Sequence, residues 1–185
     1  MKKFLQRVVL VAVAMATAQV AVAESWRINN DTSKGAHFVD INAAMASEDV
    51  KDGDVLYLDP GCLLSNTQTI TKAVTVIGTG WDFNDRPYTY AQISGQLFIR
   101  ASATITGVYI TNSIPIQADD IIIERCLITS NIGYNSGYGT AQNLQIRQCY
   151  LSGDVRIYGA GQSNSYTQGW GIYNNVIVSS YAWGI

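Results

Sequence analysis

Two aromatic-rich stretches carry the side chains best suited to chemistry. GYNSGYGTAQ (133–142) and GAGQSNSYTQGW (159–170) set Tyr134, Tyr138, Tyr166 and Trp170 among Asn, Gln, Ser and Gly. Flat aromatic faces stack on sugar rings, and neighbouring amides can bond the ring hydroxyls. A third stretch, WDFNDRPYTY (81–90), adds Asp82, Asp85 and Arg86 to Trp81, Tyr88 and Tyr90, a set that also suits sugar binding. Each stretch has a plainer reading, a loop folded onto the body of the protein with its aromatics as cover, and both readings stand. Other groups offer less. Glu124 and Arg147 are expected to lie side by side as a surface charge pair worth under about 1 kcal/mol. Asp119 and Asp120 read as a turn into a strand. His37, the only histidine, stands beside an expected helix start and reads as structural. The three cysteines, Cys62, Cys126 and Cys149, fit no zinc spacing. No Ser-His-Asp set is evident. The glycines of GYGTAQ and GAGQSN are followed by no helix, so they make no nucleotide fingerprint.

The elements that must hold these residues follow from the rest of the chain. Lys2, Lys3 and Arg7, an apolar run from Val8 to Ala18 and Ala21-Val22-Ala23 predict a secretory signal over residues 1–23. The run is short for a membrane span of about 20 residues, and Gln19 interrupts it. No cysteine follows the cleavage site, so a lipid anchor is not expected. Removal of this segment takes three of the twelve basic residues and none of the fourteen acidic ones, which lowers the net charge from −2 to −5. With no basic cluster left, nucleic acid is not an expected partner.

From Val55 onward the chain consists of short β-branched runs separated by Gly, Asn, Asp and Ser. They include VLYL (55–58), VTVIG (74–78), QLFI (96–99), ATITGVYI (103–110), DIIIERCLI (120–128), NLQIRQCYL (143–151), VRIYG (155–159) and GIYNNVIV (171–178). One segment, GAHFVDINAAMAS (35–47), has helical spacing, with Phe38, Ile41, Ala44 and Met45 on one face. A six-residue frame recurs: Ile105-Thr-Gly-Val108-Tyr-Ile110, Ile123-Glu-Arg-Cys126-Leu-Ile128, Ile146-Arg-Gln-Cys149-Tyr-Leu151 and Ile172-Tyr-Asn-Asn175-Val-Ile177. Its leading residues are 18, 23 and 26 positions apart. Strands at such periods without helices indicate a solenoid. Stacked coils would form one inward row from Ile105, Ile123, Ile146 and Ile172 and another from Ile110, Ile128, Leu151 and Ile177. Val108, Cys126, Cys149 and Asn175 would share the corner between them. Strands are about 4.8 Å apart, wider than the Cβ separation of a relaxed disulfide. Stacked thiols are therefore favoured over a bond.

Two parts of the chain resemble right-handed parallel β-helix proteins of the pectate-lyase-like superfamily. One is FVDINAAMASEDVKDGDVLYLDPGCLLSNTQTITKAVTVIGTG (38–80), which is similar to the start of such proteins: capping helix, DGD, strand, PG and first coil. The other is the I-x-x-N-x-I frame with Asn175 at a corner. The resemblance implies an all-β right-handed parallel β-helix with an N-terminal capping α-helix. The organisation expected is a signal over 1–23, a cap over 24–54 and coils over 55–185, with the strand-like end SSYAWGI suggesting further coils or a partner beyond. It implies an exported protein, periplasmic, cell-surface or extracellular, that acts on or binds extracellular polysaccharide in a lyase-like or glycosidase-like way. The residues identify no cofactor, and calcium enters only through the resemblance. Because fold does not imply function, a non-catalytic surface or adhesin-type scaffold is the alternative.

Overall fold

The computed structural model describes residues 23–80, 90–134, 141–156 and 167–178. The expected signal, apart from Ala23, lies outside the described residues. Among the described residues no helix is long and apolar enough to cross a membrane.

The chain opens with β1 (Ser25–Ile28), a 3-10 turn (Thr32–Lys34) and a short helix α1 (Ile41–Ala46). Three strands then recur in each turn of chain. The first turn holds β2 (Val55–Leu58), β3 (Leu63–Leu64) and β4 (Gln68–Ile70). Next come β5 (Val74–Ile77), β6 (Gln92–Ile93) and β7 (Leu97–Ile99), then β8 (Ala103–Thr106), β9 (Tyr109–Ile110) and β10 (Ile114–Ile116). The fourth turn holds β11 (Ile122–Glu124), β12 (Leu127–Ile128) and β13 (Ile132–Tyr134), followed by β14 (Ala141–Gln142). The fifth holds β15 (Gln145–Arg147), β16 (Tyr150–Leu151) and β17 (Val155–Arg156), followed by β18 (Thr167–Gln168). The last described strands are β19 (Gly171–Tyr173) and β20 (Val176–Ile177).

Each turn gives one strand to each of three parallel sheets. They run β1-β2-β5-β8-β11-β15-β19, β3-β6-β9-β12-β16-β20 and β4-β7-β10-β13-β17, and β14 pairs with β18 in a small fourth sheet. The protein is thus all-β, with parallel strands in stacked sheets and almost no helix, an arrangement compatible with a parallel β-helix. Each expected run that crosses the frame splits into two strands at a corner. Between β11 and β12, for example, Arg125 takes φ 52°, and the matching residues Gly107, Gln148 and Asn174 take φ 68°, 55° and 57°. A left-handed residue there reverses the pleat, so both flanking strands can turn their apolar side inward.

The inward rows are continuous. Ile105, Ile123, Ile146 and Ile172 pair in register, as do Ile110, Ile128, Leu151 and Ile177. All are buried except Ile172 and Ile177, in the last described turn, which are half-buried. Val108, Cys126 and Cys149 fill the corner between the rows, and all three cysteines are buried free thiols. Asn175 takes the same position, where it accepts the Cys149 N–H (2.8 Å) and donates to the Ile146 carbonyl (2.8 Å).

The segment expected as a cap over 24–54 also contributes a strand. Residues 25–28 are a strand, the first of the seven-stranded sheet. The helix expected over 35–47 is confined to Ile41–Ala46. Phe38 bridges to Ile28 instead, and Asp40 in extended backbone caps the helix by accepting the Ala43 N–H. The helix covers the open edge of β4. Asn42 accepts the Thr69 N–H (2.9 Å) and donates to the Thr67 carbonyl (2.7 Å), and the buried Gln68 side chain accepts the N–H groups of Ile41 and Asn42. Exposed edges invite pairing with other strands; here side chains occupy the edge's donors and acceptors.

Candidate functional site

Side chains at alternate strand positions face outward, so the seven-stranded sheet presents two outward rows beside its inward one. One row runs Arg27, Tyr57, Ile77, Thr106, Glu124, Arg147 and Tyr173. Its last three members form a bonded group. Arg147 donates from Nε (2.8 Å) and Nη2 (2.7 Å) to Glu124 Oε2, and from Nη1 to the Tyr173 hydroxyl (3.3 Å). The Tyr173 hydroxyl donates to Gln145 Oε1 (3.0 Å). These partners, the hydroxyl first and the carboxylate second, hold the Arg147 guanidinium above its ordinary pKa.

The Tyr173 ring has a particular seat. Gly171 takes the register position of Gln145 in the other outward row, and a Cβ there would stand 3.2 Å from Tyr173 Cε1. The ring therefore lies back over the bare backbone of Gly171, with its hydroxyl pinned to the next strand. It is 46 % exposed. Arg125 and Gln148 stand one residue further along their chains, at the corner, joined by an Arg125 Nε to Gln148 Oε1 bond of 3.2 Å. The group can offer an aromatic face with a polar rim. Glu124 is committed to Arg147.

Of the sequence-predicted site residues, Tyr134 and Trp170 are among the described ones. Tyr138, Tyr166, Asp82, Asp85 and Arg86 lie outside the described residues. Tyr134 takes the register position of Ile116 and Ile99. Trp170 follows Ile121 and Leu144 in register and packs, half-buried, against the core, with its indole N–H donated to the Ala141 carbonyl (2.9 Å). The strands flanking the two aromatic stretches do pair: β13 with β17 on one side, β14 with β18 on the other. Glu124 and Arg147 meet as expected. Tyr173 and Gln145 were not singled out from the sequence, although aligning the recurring frames sets Tyr173 directly beside Arg147.

Among the described residues, no group of three or more His, Cys, Asp or Glu is placed to hold a metal ion. Asp82 and Asp85 lie outside the residues so described. Two other carboxylates serve the fold. Burial pushes the Asp54 carboxyl up, but the N–H groups of Lys51 and Glu24 and the Trp26 indole together hold it below its ordinary value. Asp59 is likewise held down, by hydrogen bonds from Arg27 and, against the opposing effect of burial, from Asn29.

No family model, curated protein or solved structure matches this chain. The parallel strands in stacked sheets are compatible with a β-helix.

Proposed function

We propose that this chain is an exported right-handed parallel β-helix protein of the pectate-lyase-like type, closed at its N-terminal end by residues 24–54, and that it binds extracellular polysaccharide. The observation that carries this reading is the pairing of β13 with β17 and of β14 with β18. The two aromatic stretches leave from paired strands and return to paired strands, so their ends lie side by side. Tyr138 and Tyr166 are the aromatics of those stretches proposed to contact glycan. The length of the stack supports the reading too. Seven in-register strands span six spacings of about 4.8 Å, roughly 29 Å, a length suited to several units of a linear polymer.

The test is a glycan-array screen of the folded chain beside a Tyr138→Ala, Tyr166→Ala double variant. Binding by the wild type with loss in the double variant is expected. Absence of any glycan signal from folded wild type overturns the reading and leaves a display scaffold. Release of reducing or unsaturated ends from the bound glycan reads out hydrolysis or lysis in the same samples.

A further inference from the structure

We infer that Tyr173 is a stacking subsite for one pyranose ring of a neutral, equatorially linked glycan, with Gln145 and Arg147 at its rim. This rests on the polysaccharide reading, but it concerns the outward row of the seven-stranded sheet rather than the paired aromatic stretches. Two tyrosines stand in the same outward row at similar exposure, Tyr57 at 42 % and Tyr173 at 46 %. Only Tyr173 is built as a platform. Gly171 leaves room for the ring to lie over the backbone, and the hydroxyl is held by Arg147 and Gln145. A ring fixed in this way loses little freedom on binding. Its open face suits the C–H face of a sugar, and the amide and guanidinium beside it suit the equatorial hydroxyls.

Charge decides between neutral and acidic sugars. Arg147 is already paired with Glu124, so the platform itself has no net charge. Arg125 stands at the corner and is hydrogen-bonded to Gln148 rather than to the platform. Binding by stacking should therefore vary little with salt, whereas capture of an acidic sugar by Arg125 would weaken steeply as salt rises.

The experiment is calorimetric titration of the full chain with cellohexaose, mannohexaose and hexagalacturonate at low and high salt. A neutral hexaose should bind with weak salt dependence. Tyr173→Ala should weaken it about ten-fold and Tyr57→Ala should leave it unchanged. Gly171→Ala keeps the tyrosine but crowds its ring, with a Cβ 3.2 Å from Cε1, and should also weaken binding. Melting curves check that each variant folds, and Gly171→Ala serves as the readout if Tyr173→Ala does not. Equal affinities for wild type, Tyr173→Ala and Gly171→Ala would overturn the subsite. So would salt-sensitive binding of hexagalacturonate alone. In either case a positive array leaves the polysaccharide reading standing. An array with no glycan signal removes both.

Discussion

The Cys126 N–H points at Cys149 Sγ, 3.5 Å away, from the same corner of the preceding turn of chain. Neither sulfur is bonded to another: Cys126 Sγ lies 3.2 Å from the Glu124 carbonyl and Cys149 Sγ 3.3 Å from the Arg147 carbonyl. The two cysteines repeat because the two corners repeat. Burial pushes the Cys126 thiol well above its ordinary pKa, so little thiolate forms to attack a disulfide or reagent.

Thiol labelling in denaturant without reductant should therefore count three free thiols. The native protein should label slowly at all three. A count of one in denaturant would show that Cys126 and Cys149 bond after all.

The inward rows should tolerate no charge. Ile123 and Ile146 are fully buried and adjacent in register. Ile123→Asp or Ile146→Asp would bury a carboxylate without a partner, at a cost of several kcal/mol. The expected result is loss of soluble protein. Normal expression and melting of either variant would contradict the inward register.

Close approach at the second corner should forbid even a methyl group. A Cβ on Gly95 would overlap the Asn66 carbonyl of the preceding turn, and one on Gly153 would overlap the Ser130 carbonyl. Because the obstacle is backbone, relief requires the coils to separate. Gly95→Ala and Gly153→Ala should each lose about 1–3 kcal/mol in denaturant melts.

Trp170 should behave as a residue of the coil. It packs on the core and its indole bonds Ala141. Trp170→Ala should cost about 2 kcal/mol, below the usual loss for a fully buried tryptophan because this one is half-buried. Unchanged stability of this variant would return Trp170 to the surface role suggested by its sequence neighbourhood.

Asp54 should give the fold an acid limit. Its carboxyl is held below the ordinary value, so the folded state binds its proton less readily than the unfolded chain does. Its stabilisation is complete above the unfolded value of about 3.9 and is lost as pH falls through the lower folded value. Asp54→Asn should lower the melting temperature at neutral pH, with a loss of about 1–3 kcal/mol. The gap to wild type should close in strong acid. A gap independent of pH would show that the carboxylate charge contributes nothing.

The parts of the fold that repeat were legible in the sequence. The frame from Ile105 to Ile177, its two inward rows and its shared corner each correspond to one buried environment used again in every turn. Burial selects a narrow set of side chains, so the pattern survives insertions of varying length between frames. The Glu124–Arg147 pair followed from the same alignment. Strands such as β3, β6 and β16 are two residues long, too short to display a period of their own. The strand at Ser25–Ile28 was missed because it pairs with β2, some thirty residues away, and nothing local marks it. The helix is shorter than its spacing suggested because Phe38 bridges the edge of β1 instead. Outward positions face no common environment, and their sequence carries no rule for what they meet. The seat of Tyr173 over Gly171, with its hydroxyl on Gln145 and Arg147, exists only when β15 and β19 lie side by side in register. The sequence by itself determined the repeating interior; tertiary structure alone decided the surface, because contacts between turns depend on stacking that no single turn encodes.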